Sequence, residues 1–180
     1  REQMFKSIQY KIVLIFVLLT LSITTVIGSF TIINIVSFYN DEFSVMMEQV
    51  FDEDLIYQLK KTAQADGNPE GIEDTIRTYI GPLGIDTYRF YCILDGATGN
   101  VIYTSDEAKS RNMDITDNVI TAMSGRIGNE TSPNKAYMDY AVPIMEEDAC
   151  KYIVYIRDTK EELQSVTQNV LAIVLQAVLV

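Results

Sequence analysis

Histidine is missing altogether from this chain, and so is tryptophan; only two cysteines and four prolines occur in its 180 residues. Without histidine the commonest general base is gone, and no nucleophile motif stands in its place, which argues against an extracellular hydrolase. Metal binding is equally poorly served. There is no imidazole, and Cys92 and Cys150 lie 58 positions apart, without the spacing of a ligand pair. Outside a reducing compartment these two cysteines are the one possible disulfide, yet two cysteines alone do not demonstrate a bond. Cys92 also fits as a small buried apolar residue within Phe90-Tyr91-Cys92-Ile93-Leu94. The residues favour free thiols.

Basic residues are scarce as well. After the first 37 residues, 24 acids face 11 bases up to position 165. Nucleic acid is therefore not an expected partner, because a phosphate backbone requires a basic footprint. The acidic balance suits cations, cationic peptides or plain solubility beside an anionic surface, and a solvated acidic face is the simplest explanation. Carboxylates cluster at Asp52-Glu53-Asp54, Glu73-Asp74, Asp114 with Asp117, and Glu146-Glu147-Asp148. Oxygen-rich clusters can hold Ca²⁺ or Mg²⁺, but no calcium-loop motif is present and no metal site is expected.

Two stretches lack charge of either sign. Between Lys11 and Asp41 there are 29 uncharged residues, and Leu163–Val180 adds another 18. The first, Ile12 to about Val36, is rich in Ile, Val, Leu and Phe. About 25 helical residues rise about 37 Å, enough for a hydrocarbon core of about 30 Å. A cleaved signal peptide would carry a shorter apolar region ending at a small-residue site, whereas Gly28-Ser29 is followed by the apolar turn Phe30-Thr31-Ile32-Ile33. A retained transmembrane helix is expected, its hydroxyls bonding back to the backbone. Arg1, Lys6 and Lys11 precede it, and Asp41, Glu42 and Glu48 follow, which sets the N-terminus in the cytoplasm and the following domain outside. The second run stops in mid-helix at Val180, so the chain is expected to continue through the membrane beyond it.

The expected organisation is a cytoplasmic N-terminus at 1–11, a transmembrane helix at 12–37, an extracytoplasmic domain at 38–162 and the start of a second transmembrane helix at 163–180. About 130 residues between the runs suffice for one domain. Its order of elements is α+β. Phe43, Met46, Met47, Val50, Phe51, Leu55 and Leu59 form an apolar stripe on a helix continuous with the membrane span and ending near Gln64. Asp66-Gly67-Asn68 breaks it. Asn68 and Pro69 then open a second helix carrying Ile72, Ile76 and Ile80, which Gly81-Pro82 ends. Strands at Thr87–Leu94 and Val101–Thr104 form a hairpin, and a short helix is expected near Thr116–Met123. A second hairpin joins Lys135–Ile144 to Cys150–Ile156 through Glu146-Glu147-Asp148, and the exit helix begins at Asp158 or Thr159.

From Tyr91 to Ser105, with its turn Asp95-Gly96-Ala97-Thr98-Gly99-Asn100, the chain resembles the opening hairpin of extracytoplasmic PAS-like (Cache) sensor domains. Tyr140-Ala141-Val142-Pro143-Ile144, followed by a strand and a helix back to the membrane, resembles their closing elements. The resemblance implies an antiparallel sheet of about five strands flanked by long N-terminal helices, between two transmembrane helices. The segment Met4–Leu19 is similar to the start of the WalK (VicK) family of cell-wall sensor histidine kinases of Gram-positive bacteria. That likeness implies a two-pass cell-membrane protein and a homodimer acting in two-component signal transduction. It also implies a cytoplasmic kinase using ATP and Mg²⁺, and a response regulator downstream. No catalytic residue carries over, since a chain without histidine holds no phosphoacceptor, and no cofactor is expected in these residues. The same sensor module also serves chemoreceptors and cyclic-dinucleotide enzymes, and a membrane-anchored envelope-binding protein is a third reading.

The resemblance to Cache domains implies a small-molecule or peptide ligand between the sheet and the segment that crosses it, and this is the sharper binding expectation. Tyr91, Tyr103, Arg126 and Tyr140 combine aromatic walls with one cation for an anionic group. The weightier alternative is that these are ordinary strand tyrosines, because aromatics favour strands and the chain has eleven tyrosines. For Phe43, Met47, Val50 and Leu55, packing on the sheet competes with packing on the same helix of a second chain.

Overall fold

In a computed structural model of the protein, residues 2–66 and 68–179 are described. Arg1 in the N-terminal flank, Gly67 in the expected break and Val180 at the end of the second run lie outside the described residues. The order is α1 (Glu2–Val50), α2 (Glu53–Asp66), α3 (Glu70–Thr78), β1 (Arg89–Asp95), β2 (Val101–Thr104), α4 (Glu107–Ser110), α5 (Asp117–Met123), β3 (Met138–Glu146), β4 (Ala149–Asp158) and α6 (Glu161–Leu179). The described residues divide into two compact units: residues 39–161, and a helical unit of residues 2–38 with 162–179.

The apolar run lies within α1, 49 residues long, the one helix among the described residues that is long and apolar enough to cross a membrane. Its hydroxyls behave as expected of helical Ser and Thr. Thr20, Ser22, Thr24, Thr25 and Thr31 each donate to the carbonyl four residues back, at 2.8–2.9 Å. Within the helical unit a Cβ on Gly28 would meet Val174 at 3.1 Å, so α1 and α6 approach closely there. Leu21, Thr25, Gly28, Ser29, Ile32, Leu171, Val174 and Leu175 line an apolar crevice of about 150 Å³.

Residues 39–161 form an α+β domain around one antiparallel sheet of order β2-β1-β4-β3. There are four strands rather than about five. Beyond β3 the ladder continues only as an isolated bridge between Gly128 and Ala141, with hydrogen bonds of 2.8 and 2.9 Å. Adding a Cβ to Gly128 would put it 2.2 Å from the Asn118 carbonyl oxygen, so only glycine allows this approach. Alternation along the strands feeds two cores. One face presents Tyr91, Ile93, Tyr140, Val142, Val154 and Ile156 to Phe43, Met47, Leu55, Leu59, Ile72 and Ile76 from α1, α2 and α3. The other presents Phe90, Cys92, Leu94, Ala141, Ile153 and Tyr155 to Val119 and Ala122 of α5.

The apolar stripe thus packs on the sheet of its own chain: Phe43, Met47, Leu55 and Leu59 are at most 1% exposed. The expected single helix to Gln64 is instead two. Asp52 accepts the Leu55 amide at 2.8 Å and caps α2, with Glu53 and Asp54 in its first turn. Similarly, α3 ends at Thr78, and Ile80 falls in the following turn, 39% exposed, rather than on a buried face. Both hairpins form with shifted strand ends: β1 begins at Arg89 rather than Thr87, β3 at Met138 rather than Lys135, and β3 and β4 each run two residues further than expected, to Glu146 and Asp158. The Thr116 hydroxyl caps α5. The short helix α4 had no expectation; Asp106 caps it. The sheet register rules out the Cys92–Cys150 disulfide. Cys92 faces Tyr155, five residues along β4 from Cys150, about 17 Å of strand, and both thiols are free.

Candidate functional site

The four expected ligand residues do not come together. Tyr91 and Tyr140 are buried in the helix-side core, Tyr140 stacked on Phe51 with centroids 5.7 Å apart, and Tyr103 packs at its margin. Arg126 instead follows α5 on the opposite side of the sheet, exposed, its amide closing the helix on Thr121. The cation beside Tyr91 is Arg77 of α3. Its guanidinium sits between the Tyr91 hydroxyl and Glu73, 2.9 Å away, and both raise its pKa, Tyr91 most. Burial raises the Tyr91 pKa, with Glu73 and Asp74 adding and Arg77 opposing. Tyr103 is raised in the same way, by desolvation and then by Glu70 and Glu73. Glu70, Glu73, Arg77, Tyr91 and Tyr103 thus form a small polar cluster at the margin of the helix-side core, with Arg77 on its open side.

A buried site lies where the chain enters and leaves the domain. Arg89 opens β1 directly opposite Asp158, the last residue of β4. Its Nε and Nη2 donate to Asp158 Oδ2 at 3.1 and 3.0 Å, and Nη1 donates to the Leu83 carbonyl at 3.0 Å. The guanidinium also touches Met46 and lies 5.1 Å from the ring centre of Phe43, both on α1. Gly84, at φ +62°, makes room: a Cβ there would stand 2.6 Å from Arg89 Nη1. The other Asp158 oxygen accepts the Lys160 amide at 2.8 Å, and the Tyr39 hydroxyl reaches Oδ2 at 3.5 Å. One carboxylate, 1% exposed, therefore joins α1, β1 and the lead into α6. Such a pair gains geometric definition more than stability, since desolvation offsets most of its attraction.

A second buried carboxylate, Asp139 on β3, organises the opposite face. Thr116 donates to it at 2.5 Å, Asn118 at 2.8 Å and Tyr155 at 3.2 Å. Burial and the adjacent negative charge push the Tyr155 hydroxyl pKa strongly upward, keeping it a donor. Asn118 further donates to the carbonyls of Asp139 and Glu130, both at 3.0 Å, which seats the chain leading to β3.

Sequence reasoning missed both sites. Arg89 and Asp158 are 69 residues apart, and only the strand register pairs them. The one available signal was a charge at the end of each apolar strand. The carboxylate clusters, by contrast, serve as caps and ion pairs: Glu146 holds Lys151 at 2.8 Å and Asp117 holds Lys135 at 3.4 Å. Among the described residues no group of three His, Cys, Asp or Glu is placed to hold a metal. Chemically, both buried sites are hydrogen-bonded fixtures that hold elements in register. No family model matches the chain, and no curated protein matches it.

Proposed function

We propose that this chain is the membrane-anchored sensing region of a two-component sensor histidine kinase of the WalK type, with a PAS-like domain outside the cell. The observation that carries the reading is α1. One helix supplies both the uncharged run between Lys11 and Asp41 and the core residues Phe43 and Met47 of the α+β domain. A helix that is anchor at one end and core at the other is suited to passing a change of domain packing toward the membrane. The two antiparallel hairpins, the flanking helices and the Gly128–Ala141 bridge at the place of a fifth strand support a PAS-like sheet. In this reading α6 begins the second crossing, and the bases Arg1, Lys6 and Lys11 before the uncharged run, with the acids Asp41, Glu42 and Glu48 after it, support a domain outside the cell.

The signal is an envelope cue, a small molecule or peptide, acting on a homodimer. A ligand shifts the output only through different affinities for two arrangements. The kinase half, with its ATP, Mg²⁺ and response regulator, lies beyond these residues. The test is to incubate the full-length protein in membranes with radiolabelled ATP and Mg²⁺. Acid-labile, base-stable phosphate on the protein is the expected result. No label, together with a coding sequence that continues into a heptad hairpin or a cyclase, would move the same sensor to another output. A stop codon soon after the second span would leave an envelope-binding protein.

A further inference from the structure

The segment 129–137, between the Gly128 bridge and β3, makes few backbone hydrogen bonds of its own; Lys135 N to Ser132 O, at 3.2 Å, is one. It is held instead by side chains from elements on every side. Asn118 of α5 bonds both the amide and the carbonyl of Glu130, at 2.9 and 3.0 Å. Thr131 lies 3.5 Å from Ser44 of α1, hydroxyl to hydroxyl. The Tyr137 ring stacks under the Arg157 guanidinium at 3.9 Å. The remaining anchor is Lys160, whose ammonium donates to the carbonyls of Ser132 and Lys135 at 2.9 and 3.0 Å.

Lys160 is an unusual residue for this service. It is 3% exposed, and it occupies a left-handed conformation, φ +56°, in the turn that leads from β4 into α6. A lysine is not the residue a left-handed turn selects, and a lysine is seldom fully buried. Both oddities have one explanation in the contacts it makes. Its amide is fixed by the same Asp158 carboxylate that holds Arg89, while its side chain reaches into segment 129–137. Burial lowers its pKa, and the Asp158 charge opposes that.

We infer that segment 129–137 is the input element of the domain and that Lys160 transmits its position to the turn preceding α6. The geometry gives the segment two holds on the helices: Ser44 toward α1 and Lys160 toward α6. Displacing the segment, by a ligand or a partner, withdraws the carbonyls that keep Lys160 buried. The left-handed turn then loses the interaction that sustains it and relaxes. The use of this link for signalling rests on the sensor reading, but the link itself does not.

Hydrogen exchange on the full chain in lipid nanodiscs tests it, followed at Glu130 and Lys135 in the segment and at Thr159 and Lys160 in the turn. Lys160→Met keeps the stem and removes the ammonium; it is expected to speed exchange at both places by roughly tenfold or more. Tyr137→Ala removes the segment's stack on Arg157 of β4 and leaves the Lys160 side chain and its two carbonyl partners in place, and should still accelerate exchange at Thr159 and Lys160. Lys160→Arg, which keeps the cation, should restore most of the protection. Acceleration by Tyr137→Ala confined to the segment would overturn the inference. So would protection at Glu130 and Lys135 unchanged by Lys160→Met, or acceleration that extends equally through β1 and β4. Neither readout involves phosphate transfer, so its failure and the failure of the kinase reading are separate results.

Discussion

The two faces of the sheet are built on different principles. The helix face is a broad apolar core in which Phe43, Met47, Leu59, Ile72 and Ile76 close over Ile93, Val142 and Val154. The α5 face is smaller, and its apolar residues share the space with the Asp139 network of Thr116, Asn118 and Tyr155. Apolar burial is non-directional and tolerates small slides, whereas a buried carboxylate with three donors fixes its partners in one arrangement. On the proposed sensor reading, the face that carries α1 is the one that would shift, and the hydrogen-bonded face is the frame against which it would do so. At the junction the two principles meet, because Arg89 bonds Asp158 while lying on Phe43 and Met46.

The sharpest break of that contrast is Arg89→Met. It leaves the buried Asp158 carboxylate without its cation, and a loss of about 3–5 kcal/mol is expected in urea unfolding. On the helix face Leu59→Ala should cost about 2–5 kcal/mol, through transfer and cavity terms together. The α5 face should answer to hydrogen bonding more than to volume. Asp139→Asn conserves shape but turns an acceptor into a donor facing donors, and should cost about 1–3 kcal/mol by the same measurement.

Cys92 offers a pH test of the same face. Burial pushes its thiol up to about 11 from 9.0, with Thr104 opposing. The folded state then holds the thiol proton more tightly than the unfolded chain does. The stability this gives is complete below pH 9 and is lost as pH rises from 9 toward 11. A Cys92→Ser chain should lack that decline, and at pH 8 iodoacetamide should alkylate the half-exposed Cys150 well before Cys92. The smallest effect belongs to Arg77→Ala. That guanidinium is open to solvent on its Glu73 and Tyr91 partners, so melting temperature should not change measurably, whereas a ligand held by the surface cluster would lose affinity.

What was legible in the sequence was local. The hairpins showed as short apolar runs broken by Asp95–Asn100 and Glu146–Asp148, and the short helix showed near Thr116–Met123. The break between α1 and α2 was written too, but Asp52-Glu53-Asp54 reads equally well as a carboxylate cluster and as a cap with an acidic first turn. The apolar stripe Phe43, Met47, Phe51, Leu55 crosses it without losing step, which is why the helix looked continuous. The binding residues were not legible. Which strand face a tyrosine takes depends on register, and register sent Tyr91 and Tyr140 to one side while the chain carried Arg126 to the other. The Arg89–Asp158 and Lys160–Ser132 contacts join residues far apart in sequence, so no spacing rule reaches them.

The central claim is that this domain stands outside the cell, behind a retained membrane helix. It is tested most directly by a Tyr57→Cys chain lacking Cys92 and Cys150, treated with a membrane-impermeant maleimide on intact cells. Tyr57 is 67% exposed on α2, so accessibility reports sidedness and not burial. The account predicts labelling without permeabilisation, on a protein that remains in the membrane fraction. Labelling only after the cells are opened, or recovery of the chain in the soluble fraction with α1 removed, would contradict it.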